Sequence, residues 1–434
     1  MDGDRQELTG SKAQPGREFL FKPALVTALK HGYSRSNLKD DALAGLTVAI
    51  VALPLSMALA IASGLPPERG LYTAIVGGFL ISLLGGSRFQ IGGPAGAFIV
   101  LVSLTVERHG YDGLVLATAL AGLIMIVVGL LRLGTYIRYI PHPVTVGFAA
   151  GIAVIIFASQ LRDFLGLEIA KEPGPLLAKL AALWNALPTI KPLALAISIA
   201  SVLVILLIGK YRPHWPGFLI VVIFSAAFVA AFHPDVATIG SRFGAVPSSL
   251  PAPSLPIFDW QKIYAVLPDA IAIALLGSIE SLLSAVVADR MSGDKHRSNG
   301  ELVAQGIANI GSVAFGGVPV TGTIARTATN VRAGAKSPVS GMLHAVYLLV
   351  FMLIAAPLAV YIPLAALAAV LVVVAFNMSD HHEFRALLGK SWADALVLLA
   401  VFLITAFYDL VAAIGIGVAL SLLFRAASLR KKSA

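Results

Sequence analysis

Two ionisable side chains stand alone within long apolar stretches of this chain. Arg326 lies in Thr-Ile-Ala-Arg-Thr-Ala-Thr-Asn (323–330), and Glu280 lies in Gly-Ser-Ile-Glu-Ser-Leu-Leu-Ser (277–284). A charge placed in hydrocarbon costs at least about 2.5–3.5 kcal/mol, so such residues are expected to have a function. A guanidinium suits planar and tetrahedral oxyanions, and a carboxylate can hold a proton or a sodium ion. The two residues therefore predict an anion site beside a site for a coupling cation, H+ or Na+.

The composition places both residues in a membrane protein. Of the 434 residues, 58% are hydrophobic and only 13% are charged, whereas soluble domains carry about 25% charged residues. The absence of cysteine excludes disulfides, cysteine zinc sites and cysteine nucleophiles. The net charge of +9 fits the basic residues that flank membrane spans, so we expect no nucleic-acid partner. No catalytic constellation is visible, and we expect neither an enzyme nor a bound cofactor or metal.

The apolar segments predict an all-α polytopic membrane protein with fourteen transmembrane segments. A membrane-crossing helix needs about 20 apolar residues. Two further segments are short and glycine-rich, and each follows a Gly-Gly pair, which predicts half-helices that begin inside the membrane. The twelve long candidates are 41–63, 70–86, 112–131, 142–161, 192–209, 214–232, 266–288, 301–315, 341–360, 362–378, 393–408 and 410–426, and the two half-helices are 94–106 and 322–335.

The chain ends and the basic residues predict the topology. Residues 1–40 read as a cytoplasmic tail with a short amphipathic helix around 19–31, residues 41–428 as the transmembrane domain, and residues 429–434 as a short C-terminal tail. Lys and Arg recur in every connection on the side of the two termini, which predicts a multi-pass protein of the cell (inner) membrane with both termini in the cytoplasm. Four aspartates at span ends are expected to be solvated at the interface: Asp41, Asp269, Asp394 and Asp409.

An internal repeat relates the two halves. Gly92-Gly93 recurs as Gly316-Gly317, 224 residues later, and Ile140-Pro141 recurs as Ile362-Pro363, 222 residues later. An odd number of segments in each copy requires the second copy to be inverted, which gives a seven-plus-seven inverted repeat. Inverted repeats with interrupted helices are typical of secondary transporters, whose site lies at the midplane between the halves.

The half-helix N-termini would complete the anion site, because their free N–H groups carry positive partial charge. With the offset of 224, Ser56 is roughly the position in the first copy that corresponds to Glu280 in the second. The apolar neighbours of Ser56 would form a wall of the pocket. An alternative reading is that Arg326 and Glu280 form an ion pair that only joins two helices. The predicted substrate-binding residues are Arg326, Ala325, Thr327, Pro94, Ala95, Gly96, Leu55 and Leu59.

Several separated motifs resemble those of the SulP sulfate-permease family of anion transporters, relatives of the animal anion exchangers and prestin. The resemblance covers about residues 40–428. The motifs are Asp41 to Leu46 with Leu53-Pro54, Gly70-Leu71-Tyr72, Gly85 to Arg88, Gly92 to Ala97, Phe315 to Gly317, Ala325 to Thr327, and Asn330 to Lys336.

The resemblance implies a mobile core domain (about 41–133 and 266–360) that slides against a gate domain (about 138–232 and 361–428). It places the anion between the N-termini of the third and tenth segments, beside Arg326. It also assigns cation coupling to Glu280. Ser284, Gly322 and Thr323 match positions that line a sodium site in bicarbonate-transporting members.

Two departures from the family pattern affect the expectations. Members usually carry a cytoplasmic STAS domain after the last span, whereas this sequence stops at Ala434, so either a natural short form without STAS or a shortened piece of a longer protein is expected, and a homodimer is left open. Many sulfate carriers have Ser where this chain has Ala325, which weakens the case for strict sulfate preference.

We expect a secondary active transporter of a small anion in the lipid bilayer, with proton-coupled sulfate uptake by elevator-like alternating access as the first assignment. The rivals are sodium-coupled bicarbonate symport, proton-coupled C4-dicarboxylate symport, and an uncoupled anion channel or exchanger. A nucleobase–proton symporter would share the fold, but Arg326 favours an anion.

Overall fold

The structure is a computed structural model that describes residues 21–30, 32–137, 141–169, 172–213, 215–254 and 259–433. Over these residues the chain is almost entirely helical, because a backbone in hydrocarbon must satisfy its own hydrogen bonds. The first eleven helices are α1 (Ala24–Lys30), α2 (Arg35–Ala62), α3 (Pro67–Tyr72), α4 (Gly78–Leu84), α5 (Ile99–Leu130), α6 (Gly134–Ile137), α7 (His142–Leu165), α8 (Leu176–Ala186), α9 (Pro192–Tyr211), α10 (Gly217–Phe232) and α11 (Ile239–Phe243).

The second half of the chain contains the other eight helices and the second of two very short strands. The strands are β1 (Gly92–Gly93) and β2 (Thr321–Gly322). The helices are α12 (Trp260–Ser292), α13 (Ser298–Ala314), α14 (Ile324–Arg332), α15 (Val339–Ala359), α16 (Leu364–Met378), α17 (His381–Lys390), α18 (Trp392–Phe407) and α19 (Leu410–Ser433).

Local signals in the sequence explain where the long helices begin and end. The side chain of Ser34 accepts a hydrogen bond from the Asn37 N–H (3.1 Å) and caps α2. Asp259 caps α12 by accepting from the Gln261 N–H (3.0 Å). The same helix ends at Gly293, whose φ of 77° lies in the left-handed region that glycine adopts at low cost. These caps satisfy backbone groups that a helix end leaves without partners.

Seven helices of the described part are long and apolar enough to cross a membrane, and three more are apolar but shorter. The seven are Arg35–Ala62, Gly96–Leu130, His142–Leu165, Pro192–Tyr211, Trp260–Ser292, Val339–Ala359 and Leu364–Lys390, and the shorter ones are Gly217–Phe232, Trp392–Phe407 and Ala412–Phe424. A multi-pass membrane protein follows. The count of fourteen segments and the inverted repeat stay predictions.

Two of the predicted stretches contain a local change in helix geometry. The predicted segments 94–106 and 112–131 correspond to two helical parts of Ile99–Leu130, which are separated by a kink at Gly110 (φ 70°, ψ −179°). Glycine takes this positive φ without a side-chain clash, so the helix breaks there and resumes at once. The predicted segment 70–86 corresponds to one helical stretch, from α3 to α4, which contains a π-helical turn at Thr73–Gly77. Of the amphipathic helix expected around 19–31, the structure describes α1; residues 19, 20 and 31 lie outside the described part.

Helix packing separates into two groups. In the first, α5 packs against α12 and α13, and α2 packs against α15. In the second, α7 packs against α16 and α18, and α9 packs against α10 and α16. Helix α2 also contacts α10 and α16, and the division into a core and a gate domain that slide against each other stays a prediction.

The four tryptophans show which surfaces meet the membrane boundary. Trp184, Trp215, Trp260 and Trp392 lie at or next to helix ends, and each is between 60% and 75% exposed. Exposed Trp is typical of the interfacial belt, where the ring contacts lipid and the indole N–H reaches water. The apolar side chains exposed along α9 and α10 then face lipid.

The expectation that Asp41 and Asp269 are solvated is wrong. Asp41 is fully buried and accepts four hydrogen bonds, from the backbone N–H groups of Lys336 and Ser337, the Ser337 hydroxyl and the Tyr33 hydroxyl. Burial, together with the Asp41 carboxylate, raises the pKa of Tyr33 above its ordinary value. Asp269 is also buried, and it pairs with Arg108 (2.9 Å). Both carboxylates join elements far apart in sequence, which helix-end position alone could not reveal.

Candidate functional site

The site is built on a crossing of two extended segments in the middle of the first helix group. Strand β1 pairs antiparallel with β2, with Gly92 opposite Gly322 and Gly93 opposite Thr321. The pairing continues with the Thr323 N–H, which donates to the Ile91 carbonyl (3.1 Å). Each segment thereby satisfies the backbone groups of the other, which allows non-helical chain at membrane depth.

A helix begins directly after each strand. The first segment passes into a 3₁₀ turn at Gly96–Phe98 and then into α5, and the second passes into α14. In neither segment does an N-cap side chain accept a hydrogen bond from the helix, and neither first turn contains an acidic residue. Free N–H groups and the positive ends of two helices therefore meet at the crossing, which is the arrangement that binds anions.

Arg326 brings a full positive charge to the same place. Its side chain is buried at 3% exposure, and Nη2 donates to the Ser56 hydroxyl oxygen (3.1 Å). Nε and Nη1 have no hydrogen-bond partner. A Cβ built on Gly93 would overlap Nη1, so only glycine at this position leaves room for the guanidinium. Two donors of a buried cation thus remain available to a ligand.

Arg326 and Glu280 do not form a salt bridge within 4.0 Å. The Glu280 Oε2 atom is buried without a hydrogen-bond partner, as are the two free nitrogens of Arg326. The alternative reading, in which the two residues merely join two helices as an ion pair, is therefore wrong. A buried cation and a half-buried carboxyl group, whose Oε2 atom is buried, are held on separate elements, α14 and α12.

Hydroxyl groups line the contact between α12 and the second segment. The hydroxyls of Ser281 and Thr321 are 2.6 Å apart, and the Gly322 N–H donates to the Ser281 hydroxyl oxygen (3.2 Å). The Ser284 hydroxyl donates to Thr327 Oγ1 (3.0 Å), which also accepts from the Ile91 N–H (3.2 Å). These bonds tie the Glu280 helix to the start of α14.

The structure gathers most of the predicted site residues around this crossing. Pro94 and Ala95 are buried in the first segment, and Thr327 is buried in α14. Leu55 and Leu59 are buried one turn apart on α2, beside the Ser56 that contacts Arg326. Ala325, by contrast, is exposed.

Among the predicted coupling residues, Ser284 and Gly322 already take part in hydrogen bonds within the protein. The Thr323 hydroxyl is buried without a partner. Gly96 faces the second helix group, since a Cβ there would lie 3.0 Å from Ile156 Cδ1 and 3.6 Å from Met378 Sδ. The two groups of helices therefore meet at the start of the first segment.

Sequence reasoning did not single out Ser281, Thr321 and Gln90. Gln90 Nε2 donates to the Ser281 carbonyl (3.1 Å), and a Cβ on Gly322 would overlap the Gln90 side chain. A signal for Ser281 was available, because Gly277, Ser281 and Ser284 share one face of an otherwise apolar helix. No local signal marks Gln90, whose role follows from contacts across almost two hundred residues.

The fold and this site define a multi-pass membrane transporter. The model of the Sulfate permease family matches residues 38–401, and the chain belongs to that family. YvdB of Bacillus subtilis (strain 168), by its name a candidate sulfate transporter, is 43% identical over 91% of this chain and 74% of its own length. The bicarbonate transporter BicA of Synechocystis is 34% identical over 88% of this chain and 68% of its own length.

A solved structure agrees with the family assignment. The transmembrane domain of a cyanobacterium bicarbonate transporter BicA superposes with a TM-score of 0.81 at 33% sequence identity, over 88% of this chain and 98% of that domain. Both the sequences and the fold therefore relate this chain to anion transporters.

Proposed function

We propose that this chain is a secondary active transporter that carries sulfate into the cell together with a proton. The observation that carries the proposal is Arg326, a buried guanidinium with two free donors at the point where two uncapped helices begin. Backbone N–H groups and a forked cation together recognise a tetrahedral oxyanion. Membership of the sulfate permease family supports sulfate as the first substrate to test.

Glu280 supplies the coupling in this proposal. Its carboxyl group is held in the same helix group as the anion site but makes no ion pair there. A bound dianion attracts a proton to such a group, and a bound proton in turn favours the anion by the same free energy. Sliding of the core residues against the gate residues would carry both ligands across, with the contact of Gly96 on Ile156 and Met378 at the moving boundary.

A second candidate is sodium-coupled bicarbonate transport. Hydroxyl oxygens of Ser281, Ser284, Thr321 and Thr323 lie along the Glu280 helix and the second segment, and oxygen ligands suit hard cations. The relatedness to BicA supports bicarbonate. C4-dicarboxylate symport and uncoupled anion conduction or exchange are further possible outcomes of the uptake experiment described next. We also infer a cell-membrane location with both termini cytoplasmic, from the distribution of basic residues.

Uptake into proteoliposomes tests the proposal. Labelled sulfate, bicarbonate and fumarate are compared with no gradient, an inward proton gradient and an inward sodium gradient. Sulfate accumulation that needs the proton gradient is expected. Bicarbonate accumulation driven by sodium would replace the first candidate by the second, and uptake that never exceeds equilibrium would indicate a channel or exchanger.

Glu280→Gln isolates the coupling step. The variant is expected to retain exchange of anion across the membrane but to lose accumulation driven by a cation gradient. Glu68→Gln, which removes the same charge from the first turn of α3, is the matched control and should behave as the unmodified protein. Unchanged dependence on pH and sodium in Glu280→Gln would contradict the coupling role.

A further inference from the structure

A cavity lined by both charged and apolar side chains lies in the other helix group, away from the crossing of β1 and β2. Its volume is about 560 Å³, and it forms where α7 ends and where α9 and α16 begin. Three basic side chains line it, Arg162, Lys191 and Arg242, together with two carboxylates, Asp163 and Glu168. None of these residues belongs to the site around Arg326.

The two carboxylates make direct ion pairs with Arg242 and Lys191, whereas Arg162 interacts with Asp163 and Glu172 only from a greater distance. Arg242 Nη1 contacts both carboxylate oxygens of Asp163 (2.9 and 3.0 Å). Lys191 Nζ lies 3.3 Å from Glu168 Oε1. The half-buried guanidinium of Arg162 has no hydrogen bond and no salt bridge within 4.0 Å among the described residues. The cavity therefore contains one guanidinium that makes no direct contact with a carboxylate among the described residues.

The start of α16 adds backbone charge of the same sign. Leu364 and Ala365, its first two residues, line the cavity, and no side chain caps this fifteen-residue helix. The Leu364 N–H already donates to the Ala237 carbonyl (2.9 Å). The Ala366 N–H donates to the Pro363 carbonyl (3.1 Å), and the helix dipole places positive partial charge at this end of α16.

We propose that this cavity is a second oxyanion site, which takes a free sulfate-like anion or the phosphate of a lipid headgroup. An unpaired guanidinium next to an uncapped helix start matches the shape and charge of a tetrahedral oxyanion. The volume would accommodate the anion with part of its hydration shell, since one water molecule occupies about 30 Å³ in the liquid. The site is separate from the Arg326 site and does not depend on it.

The absence of cysteine from the sequence allows a direct test. Ala237 is exposed and lines the cavity, so Ala237→Cys places the single thiol of the chain at its mouth. Ala252→Cys places it on an exposed part of the same connection outside the cavity. The rate of reaction with a maleimide is measured on the purified full chain in detergent, with sulfate replacing chloride at constant ionic strength.

Sulfate is expected to slow the labelling of Ala237→Cys at least about threefold, in a saturable manner, and to leave Ala252→Cys unchanged. Adding Arg162→Gln should abolish the protection, whereas Lys262→Gln, which removes an exposed positive charge elsewhere, should preserve it. Arg162→Lys keeps the positive charge but loses the planar guanidinium with its paired donors. This variant should raise the sulfate concentration needed for half-maximal protection at least about threefold. It also provides the test if Arg162→Gln does not fold.

Two further measurements distinguish a free anion from a lipid headgroup, and this cavity from the site around Arg326. Protection by phosphatidic acid but not by sulfate, with the same need for Arg162, would assign the cavity to a lipid headgroup. Protection must persist in Arg326→Gln, which removes the cation of the transport site. Protection that disappears in Arg326→Gln, that survives Arg162→Gln, or that neither sulfate nor phosphatidic acid produces would overturn the proposal.

Discussion

The two crossing segments share a backbone plan but differ in their side chains. Each forms a two-residue strand and then begins a helix without a side-chain cap. The first segment, Pro94 to Ala97, presents only small apolar groups, whereas the second presents Thr323, Arg326 and Thr327. The backbone of both segments can thus donate to an anion, but the permanent charge and the hydroxyl groups come from one segment alone.

Because of this asymmetry, the two segments contribute differently to the site. Small residues in the first segment let the guanidinium of Arg326 lie against Gly93. Hydroxyls in the second segment bind α12, the helix that carries Glu280. A symmetric pair of polar segments would place two buried charges of one sign together, at a large desolvation cost. One half therefore provides space and the other provides charge.

The largest effect is expected from removing the charge. Arg326→Gln should weaken sulfate binding about 100-fold or more, because each hydrogen bond to a charged group contributes about 1.5–3 kcal/mol and two donors are lost. The measurement is the shift of the unfolding temperature with sulfate concentration. Arg332→Gln, on the exposed last turn of the same helix, should change sulfate affinity less than about twofold. Undiminished protection by sulfate in Arg326→Gln would place the anion elsewhere.

A smaller effect is expected from filling the space in the first segment. Gly93→Ala puts a methyl group where Arg326 Nη1 lies. Displacing the guanidinium should lower sulfate affinity about tenfold, with about 1–3 kcal/mol lost in stability from overpacking.

A double-mutant cycle shows whether Gly93 acts through the arginine. In the Arg326→Gln background the further loss of affinity on Gly93→Ala should shrink to less than about twofold, because the group displaced is already gone. Additive losses would mean that Gly93 contributes through its own backbone instead.

The smallest effect is expected from adding a hydroxyl to the second segment. Ala325→Ser introduces a donor next to Arg326, and a neutral hydrogen bond contributes about 0.5–1.5 kcal/mol. The ratio of sulfate to bicarbonate uptake should rise about 2- to 10-fold. Ala333→Ser, just beyond the end of α14, is the control. An unchanged ratio in both variants would show that the residue-325 side chain does not contact the anion.

The charged members of the site were predictable from the sequence because their signal is local. Arg326 and Glu280 interrupt apolar runs, and the Gly-Gly pairs mark where regular helix stops. The partners of these residues were not predictable in the same way. Ser56 and Arg326 are 270 positions apart, and Gln90 and Ser281 are 191 positions apart. Asp41 and Asp269 were misjudged for the same reason, since their partners are distant in sequence.

Composition and hydropathy were sufficient to identify a helical membrane protein with one cation and one acid inside its apolar segments. The reason is that the cost of moving a side chain into hydrocarbon depends mainly on that side chain and its near neighbours. Packing alone decided that β1 meets β2, that Arg326 contacts Ser56 rather than Glu280, and that Arg162 makes no direct ion pair within the described residues. Hydrogen bonds and ion pairs depend on distances of a few ångströms between groups, and only the folded arrangement of the helices determines those distances.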